Sequence, residues 1–224
     1  MLLFRIIQAA QHTKIQLRLM HNATLDENHP IHNVVARIEK LNDGLRKFWS
    51  DAAGWAPIDA AELISKSRLD RQVSLSRSLR HWIEVPPADI EDGDLILGWT
   101  NLGSLIEGTI KLFLAVYYQD YKKDLDTLKT TKAWHHTKDK LQDPDGLMLD
   151  VLIDYCEKAD LLDLEERTLT RLVQSRRNAV HAFKDRPIGT GAELHLSIRR
   201  YLTMQRRMAN DLPYPDDSYR PREI

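Results

Sequence analysis

The sequence is poor in several features that commonly identify a function. It has one cysteine, Cys156, in 224 residues, which excludes an intramolecular disulfide framework and fits a reducing cytoplasm. No apolar run reaches the length that a membrane span requires, and the apolar opening MLLFRIIQAAQ has no secretion-type cleavage site. A glycine-rich phosphate loop, a CxxC pair and a Ser-His-Asp order are missing as well. We therefore expect a cytoplasmic protein that does not contact a membrane.

The net charge of the chain is close to zero, but its charges are unevenly distributed. The formal net charge is -1, so the whole molecule does not indicate a nucleic-acid partner. Residues 88–166 carry 18 Asp and Glu against 8 Lys and no Arg, whereas residues 167–207 are rich in arginine and hold only two acidic residues, Asp185 and Glu193. This asymmetry fits either ion pairs between neighbouring helices or a positive surface for phosphates.

Apolar residues recur at intervals of three and four, which is the spacing of amphipathic helices. The clearest run predicts a long helix with steps of 4, 3, 4, 4, 3 and 4. Its members are Leu95, Trp99, Leu102, Ile106, Ile110, Phe113 and Tyr117. Further helices are predicted from Pro30, around Met148, from a capping Asp163 to about Phe183, and up to the LPYP stretch. Because no convincing alternating strands are present, the predicted fold class is all-α.

The proline-rich and acidic stretch VPPADIEDGD, residues 85–94, interrupts these patterns. It predicts a boundary between a helical N-terminal extension, residues 1–86, and a helical bundle, residues 87–213. Residues 214–224 would then form a C-terminal tail.

The stretch RLVQSRRNAVHAFKDRPIG, residues 171–189, gathers the residues with the most chemistry. Arg176, Arg177, Asn178 and His181 lie together on the helix predicted to end near Phe183. Arginine offers a fixed fork of donors for phosphate oxygens, and histidine can take and return a proton near neutral pH. Such a group would suffice to cleave RNA without a metal ion. A solvated face that forms ion pairs is the alternative interpretation.

Other candidate sites are weaker. His135, His136 and Asp139 lack a third and fourth ligand at fixed spacing, so a solvated loop is the better interpretation and no metal or other cofactor is expected. Trp49, Trp55 and Trp82 are expected to anchor the packing of helices rather than to form a platform for stacked bases.

The sequence SRRNAVHAF, together with DYCEKADLLDLEERTLTRLVQ before it and WTNLGSLIEGTIKLFLAVY upstream, resembles the HEPN superfamily (higher eukaryotes and prokaryotes nucleotide-binding domain). The resemblance covers roughly residues 89–213. It implies a HEPN-like helical bundle with an N-terminal helical extension. Members of the superfamily are commonly metal-independent endoribonucleases that act as dimers in toxin or antiviral defence systems. For this chain, the resemblance therefore implies an RNA substrate, a homodimer and an antitoxin or defence-complex partner.

The family motif is an arginine, four to six residues, then a histidine, often with a polar residue directly after the arginine. Arg176 has the correct distance to His181, whereas Arg177 has the polar neighbour, Asn178. Both arginines therefore remain candidates for stabilising phosphate, with His181 as the general base. Glu107 is implied as a supporting residue that either pairs with Arg176 or forms a surface pair with Lys111. The alternative function is a non-catalytic HEPN-like module that binds nucleotide or acts as a scaffold in a larger complex.

Overall fold

The computed structural model describes residues 29–51, 56–181, 183 and 185–223. The apolar opening segment and Trp55, one of the predicted packing anchors, lie outside the described residues.

The described part of the chain has an all-α fold, as the sequence predicts. Its α-helices are α1 (Ile31–Trp49), α2 (Ile58–Lys66), α3 (Leu69–Ser78), α4 (Asp92–Val116), α5 (Tyr118–Lys123), α6 (Leu125–Leu128), α7 (Leu149–Lys158), α8 (Leu164–Arg177) and α9 (Gly191–Asp211). Short 3-10 turns follow α3, at Leu79–Trp82, and α8, at Asn178–Val180.

Helix α4 is the predicted long helix and lies at the centre of the bundle. It packs against α2, α3, α8 and α9, and Leu102, Ile106 and Ile110 are fully buried along its length. Because neighbours cover it on several sides, the helix is apolar around most of its circumference. Even so, no helix within the described ranges is long and apolar enough to cross a membrane.

A single hydrophobic core joins helices from both sides of residues 85–94. Helix α1 packs against α3 and α9, and its residues Val34, Val35 and Ile38 belong to the same buried cluster as Ile198 and Leu202 of α9. The segment that follows α9 packs back onto α1, where the ring of Tyr214 lies 5.0 Å from that of Phe48. The described part of the N-terminal region thus shares its core with the later helices.

The connection between α4 and α7 contains short elements of its own. It contains α5, α6 and a two-residue antiparallel hairpin in which β1 (Trp134–His135) pairs with β2 (Lys140–Leu141). Asp139 takes the left-handed conformation at the turn, with φ 46°, which an aspartate adopts more readily than most residues. The hairpin is too short to show the alternation by which a strand is recognised in a sequence.

The helix that carries the candidate cluster ends earlier than predicted. Asp163 caps its beginning, as expected, and its side chain accepts a hydrogen bond from the Glu166 N–H at 2.9 Å. The α-helix ends at Arg177 rather than near Phe183, and His181 has an extended backbone. The prediction was wrong because it placed Val180 and Phe183 on a buried face, whereas both are exposed. Without that packing, nothing holds another helical turn.

Candidate functional site

The candidate site lies where α8 ends and the chain turns back toward α9. The described residues of the connecting loop are 178–181, 183 and 185–190, and the first turn of α9 lies beside the last turn of α8. Arg176 and Arg177 occupy that last turn, Asn178 begins the 3-10 turn, and His181 follows it. The residues selected from the sequence are therefore held at a helix end rather than along one helix face.

Arg176 uses its whole guanidinium group to bind the protein. Its Nε donates to Glu193 Oε2 at 3.0 Å, and its Nη2 donates to Glu193 Oε1 at 3.2 Å. Its Nη1 donates to the carbonyl oxygen of Pro187 at 2.9 Å. The bidentate pair with Glu193 connects the end of α8 to the start of α9, and the bond to Pro187 connects it to the loop.

The loop beyond Pro187 is fitted closely around this ion pair. Gly189 has φ 76°, and a Cβ added there would lie 2.0 Å from Glu193 Oε2 and 2.9 Å from Arg176 Nε. Only glycine combines this backbone conformation with so little space. The indole Nε1 of Trp99 donates to the carbonyl oxygen of Ile188 at 2.7 Å, which fastens the same segment to α4.

Arg177 points toward α4 instead. Its aliphatic stem lies over Gly103, where an added Cβ would be 2.8 Å from Arg177 Cδ. Its Nη1 donates to Glu107 Oε2 at 2.9 Å. Within the described chain, its Nε and Nη2 have no acceptor. Arg177 is therefore positioned by one nitrogen and keeps two for a ligand.

Glu107 binds Arg177 rather than Arg176, and it also forms the pair with Lys111 that was the alternative interpretation. The Lys111 Nζ donates to Glu107 Oε1 at 2.9 Å. Burial alone would raise the pKa of Glu107, but the hydrogen bonds from Arg177 and Lys111 outweigh it and lower that pKa. The carboxylate is thus charged at neutral pH and fixes the direction of the Arg177 side chain.

His181 and Asn178 complete the group. The His181 backbone N–H is bonded to the carbonyl oxygen of Asn178 at 3.4 Å, and the residue is exposed. Neither the imidazole of His181 nor the half-buried side-chain amide of Asn178 has a hydrogen-bond partner in the described part of the protein. Five consecutive residues thus offer guanidinium donors, an amide and an imidazole to a ligand.

Most of the remaining arginines between residues 167 and 207 form ion pairs, as one interpretation of the charge asymmetry predicts. These pairs are Arg167–Asp160, Arg171–Glu157, Arg206–Glu223 and Arg207–Glu166. Each of these four arginines donates from at least two nitrogens to protein acceptors, whereas Arg177 donates from one.

Two other predicted features can be compared with the structure. No group of three or more His, Cys, Asp or Glu side chains in the described ranges is arranged to hold a metal ion. Trp49 is fully buried and contacts Tyr214, so it anchors packing as expected.

Two contributors to the site were not singled out in the sequence. Glu193 was visible only as one of two acidic residues in an arginine-rich stretch, and its partner lies 17 residues away. Gly103 is four residues before Glu107 and therefore on the same face of α4, a spacing that would have pointed to a close approach.

Protein-family models, curated proteins and solved structures were compared with this chain, and none matches it.

Proposed function

We propose that this protein is a HEPN-like endoribonuclease that cleaves RNA without a metal ion. The observation that carries the proposal is the set of unengaged groups on Arg177, Asn178 and His181 at one helix end. Arg177 binds the phosphate through Nε and Nη2, and His181 acts as the general base. We assign the phosphate to Arg177 rather than to Arg176, because each of the three nitrogens of Arg176 already donates a hydrogen bond within the protein.

The reaction follows from these roles. His181 removes the proton from a ribose 2'-hydroxyl, and the 2'-oxygen attacks the adjacent phosphorus. Arg177 stabilises the negative charge that develops on the phosphorane, while Asn178 orients a phosphate oxygen. The bond to the 5'-oxygen breaks, and that oxygen takes a proton from the protonated His181 or from water. The products carry a 2',3'-cyclic phosphate and a 5'-hydroxyl.

The proposal includes the setting that the resemblance implies. The protein acts in the cytoplasm as a homodimer in which two such sites face one cleft, and it serves in a toxin or antiviral defence system. An antitoxin or defence-complex partner restrains the activity.

The test is incubation of the purified protein with mixed RNA substrates in excess EDTA, followed by analysis of the product ends. We expect wild type to cleave and leave 2',3'-cyclic phosphate ends. His181→Ala should be slower by about 10²- to 10⁴-fold, the usual contribution of a general base. Glu165→Ala, an exposed change on the same helix, is the matched control and should cleave like wild type. Equal cleavage by His181→Ala and wild type would contradict the proposal.

One observation favours a second function. Both arginines form ion pairs with other helices, as they would in a non-catalytic module that binds nucleotide or scaffolds a larger complex. In that case wild type would be a folded oligomer without RNA cleavage. His181→Ala would leave the oligomer intact, and Arg176→Ala would lower the stability of the fold, because its ion pair is with Glu193 of the same chain.

A further inference from the structure

The loop that carries His181 also carries a completely exposed aromatic side chain. The relative exposure of Phe183 is 105% and that of Val180 is 49%. Among the described residues, Phe183 is the most exposed large apolar side chain, and an aromatic ring in water is free to stack on another molecule. Phe183 follows His181 by two residues, and its Cα therefore lies within about 7.6 Å of the His181 Cα.

The loop that presents this ring is fastened at both ends. It leaves α8 at Asn178, and Arg176 binds the carbonyl oxygen of Pro187 at its far end. The Trp99 indole holds the next residue, Ile188, at 2.7 Å. The ring is therefore attached to a short segment with fixed ends, so presenting it costs less conformational entropy than presenting it on a free chain.

The charged groups of this region are mainly cationic, and the loop offers little apolar surface. Arg177 has two unengaged nitrogens, His181 is exposed, and the loop adds Arg186 against one acidic residue, Asp185. Val180 is the other large apolar side chain exposed in the described part of the loop. A protein partner would require a wider apolar patch. One ring beside several cations is the combination that holds an unpaired nucleotide, in which the base stacks and the phosphate meets the positive charges.

We propose that Phe183 stacks on an unpaired RNA base next to the phosphate that Arg177 and His181 hold. This inference rests on the proposed function, and it specifies the substrate as single-stranded RNA. A base in a duplex is already stacked on its neighbours and cannot cover the ring without being extruded. The contact is with the face of the base, so it discriminates poorly between the four bases.

The experiment measures the binding of a short single-stranded RNA by fluorescence anisotropy. The full chain carries His181→Ala so that the RNA stays intact. In this background, Phe183→Ala should weaken the Kd by about 5- to 150-fold, the range for loss of one stacked base. Phe183→Trp should keep the affinity, and Phe183→Leu, which retains the apolar character without a π-face, should not. Abasic substitution at each nucleotide in turn should weaken binding at one position in the protein that retains Phe183. The same substitution should have no effect on binding by Phe183→Ala.

The salt dependence of the Kd separates stacking from charge. Phe183→Ala should leave the slope of log Kd against log salt unchanged, because no phosphate contact is lost. Arg177→Gln should reduce the slope by about 0.7, the value per phosphate of a single strand. A shallower slope for Phe183→Ala would overturn the stacking role.

Three further outcomes would also overturn the inference. These are equal affinity of the leucine and phenylalanine proteins, loss of a dimer in Phe183→Ala by sedimentation, and no RNA binding by any variant. Cleavage by wild type in EDTA is scored separately. Cleavage that is indifferent to Phe183 would leave the proposed function standing, whereas stacking without cleavage would leave this inference standing.

Discussion

Arg176 and Arg177 are adjacent in the sequence, yet their guanidinium groups meet different partners. Adjacent positions on an α-helix differ by about 100° around its axis, so one arginine reaches α9 and the other reaches α4. Glu193 and Pro187 engage three nitrogens of Arg176, whereas Glu107 engages one of Arg177. The first residue closes the loop, and the second remains available to a ligand.

We therefore expect the two arginines to separate stability from RNA cleavage. Arg176→Gln leaves Glu193 and the Pro187 carbonyl without their donors, and should lower the free energy of unfolding by about 1–3 kcal/mol. Arg177→Gln loses one partly exposed ion pair, which costs at most about 1 kcal/mol. It should nevertheless slow RNA cleavage by about 10²-fold or more. Urea unfolding and single-turnover cleavage measure the two quantities.

The exchanged pair Arg176→Glu with Glu193→Arg is the control for the ion pair. Because the two charges face each other, the double variant should recover part of the stability that either single variant loses. Equal loss of stability and activity in Arg176→Gln and Arg177→Gln would show that the division of roles is wrong.

At the residue scale, the sequence was sufficient to select the group but not its pairing. The residue types and spacing identified Arg176, Arg177, Asn178 and His181, and all four lie at the same helix end. Which arginine meets Glu107 depends on the rotation of α8 against α4, and that rotation follows from packing between distant segments. No local pattern could supply it.

At the scale of elements, α8 shows why helix beginnings are easier to predict than helix ends. Its first turn is capped locally, since Asp163 and Glu166 exchange backbone and side-chain hydrogen bonds within four residues. Its last turn is set by the Arg176 bond to Pro187, 11 residues away. The apolar spacing continued to Phe183, but the loop takes those residues away from the core.

The cap of α8 also belongs to a buried ion pair that joins it to α9. Glu166 accepts from the Asp163 N–H at 3.0 Å and from Arg207 Nη2 at 2.7 Å. Burial opposes the charge of Arg207, but the Glu166 carboxylate outweighs it and raises the pKa of the arginine. One carboxylate therefore fixes both the start of α8 and its packing on α9.

Two substitutions should separate these contributions to the free energy of unfolding. Asp163→Ala removes the cap and should cost about 0.5–2 kcal/mol. Glu166→Ala leaves the buried Arg207 with Asp211 as its remaining carboxylate, 2.9 Å from Nη1, and should cost about 3 kcal/mol, the lower end of the range for breaking a buried pair. Glu165→Ala, at an exposed position between them, should change little. Chemical denaturation followed by circular dichroism gives the three values, and equal costs for Asp163→Ala and Glu166→Ala would contradict the buried pair.

At the scale of the whole molecule, the all-α class followed from the sequence because apolar spacing is a local property. The assembly of the helices did not follow. Residues 85–91 do interrupt the helices between α3 and α4, while residues 92–94 already belong to α4, yet α1 packs directly on α9 and shares its buried cluster. An interruption in the helical pattern shows where a helix ends. The extent of a core depends on which helix faces pack together in the folded chain.

This shared core predicts one cooperative unfolding transition for the described part of the protein. Ile38 of α1 is fully buried, so Ile38→Ala should cost about 2–5 kcal/mol through lost burial and a cavity. The loss should shift the whole transition and raise hydrogen exchange in α4 and α9 as much as in α1. Ile58→Ala, at a position that is 76% exposed, is the matched control and should have little effect. If Ile38→Ala instead produced a second transition and left exchange in α4 and α9 unchanged, the N-terminal helices would fold as a separate unit, and the site between α4, α8 and α9 would not depend on them.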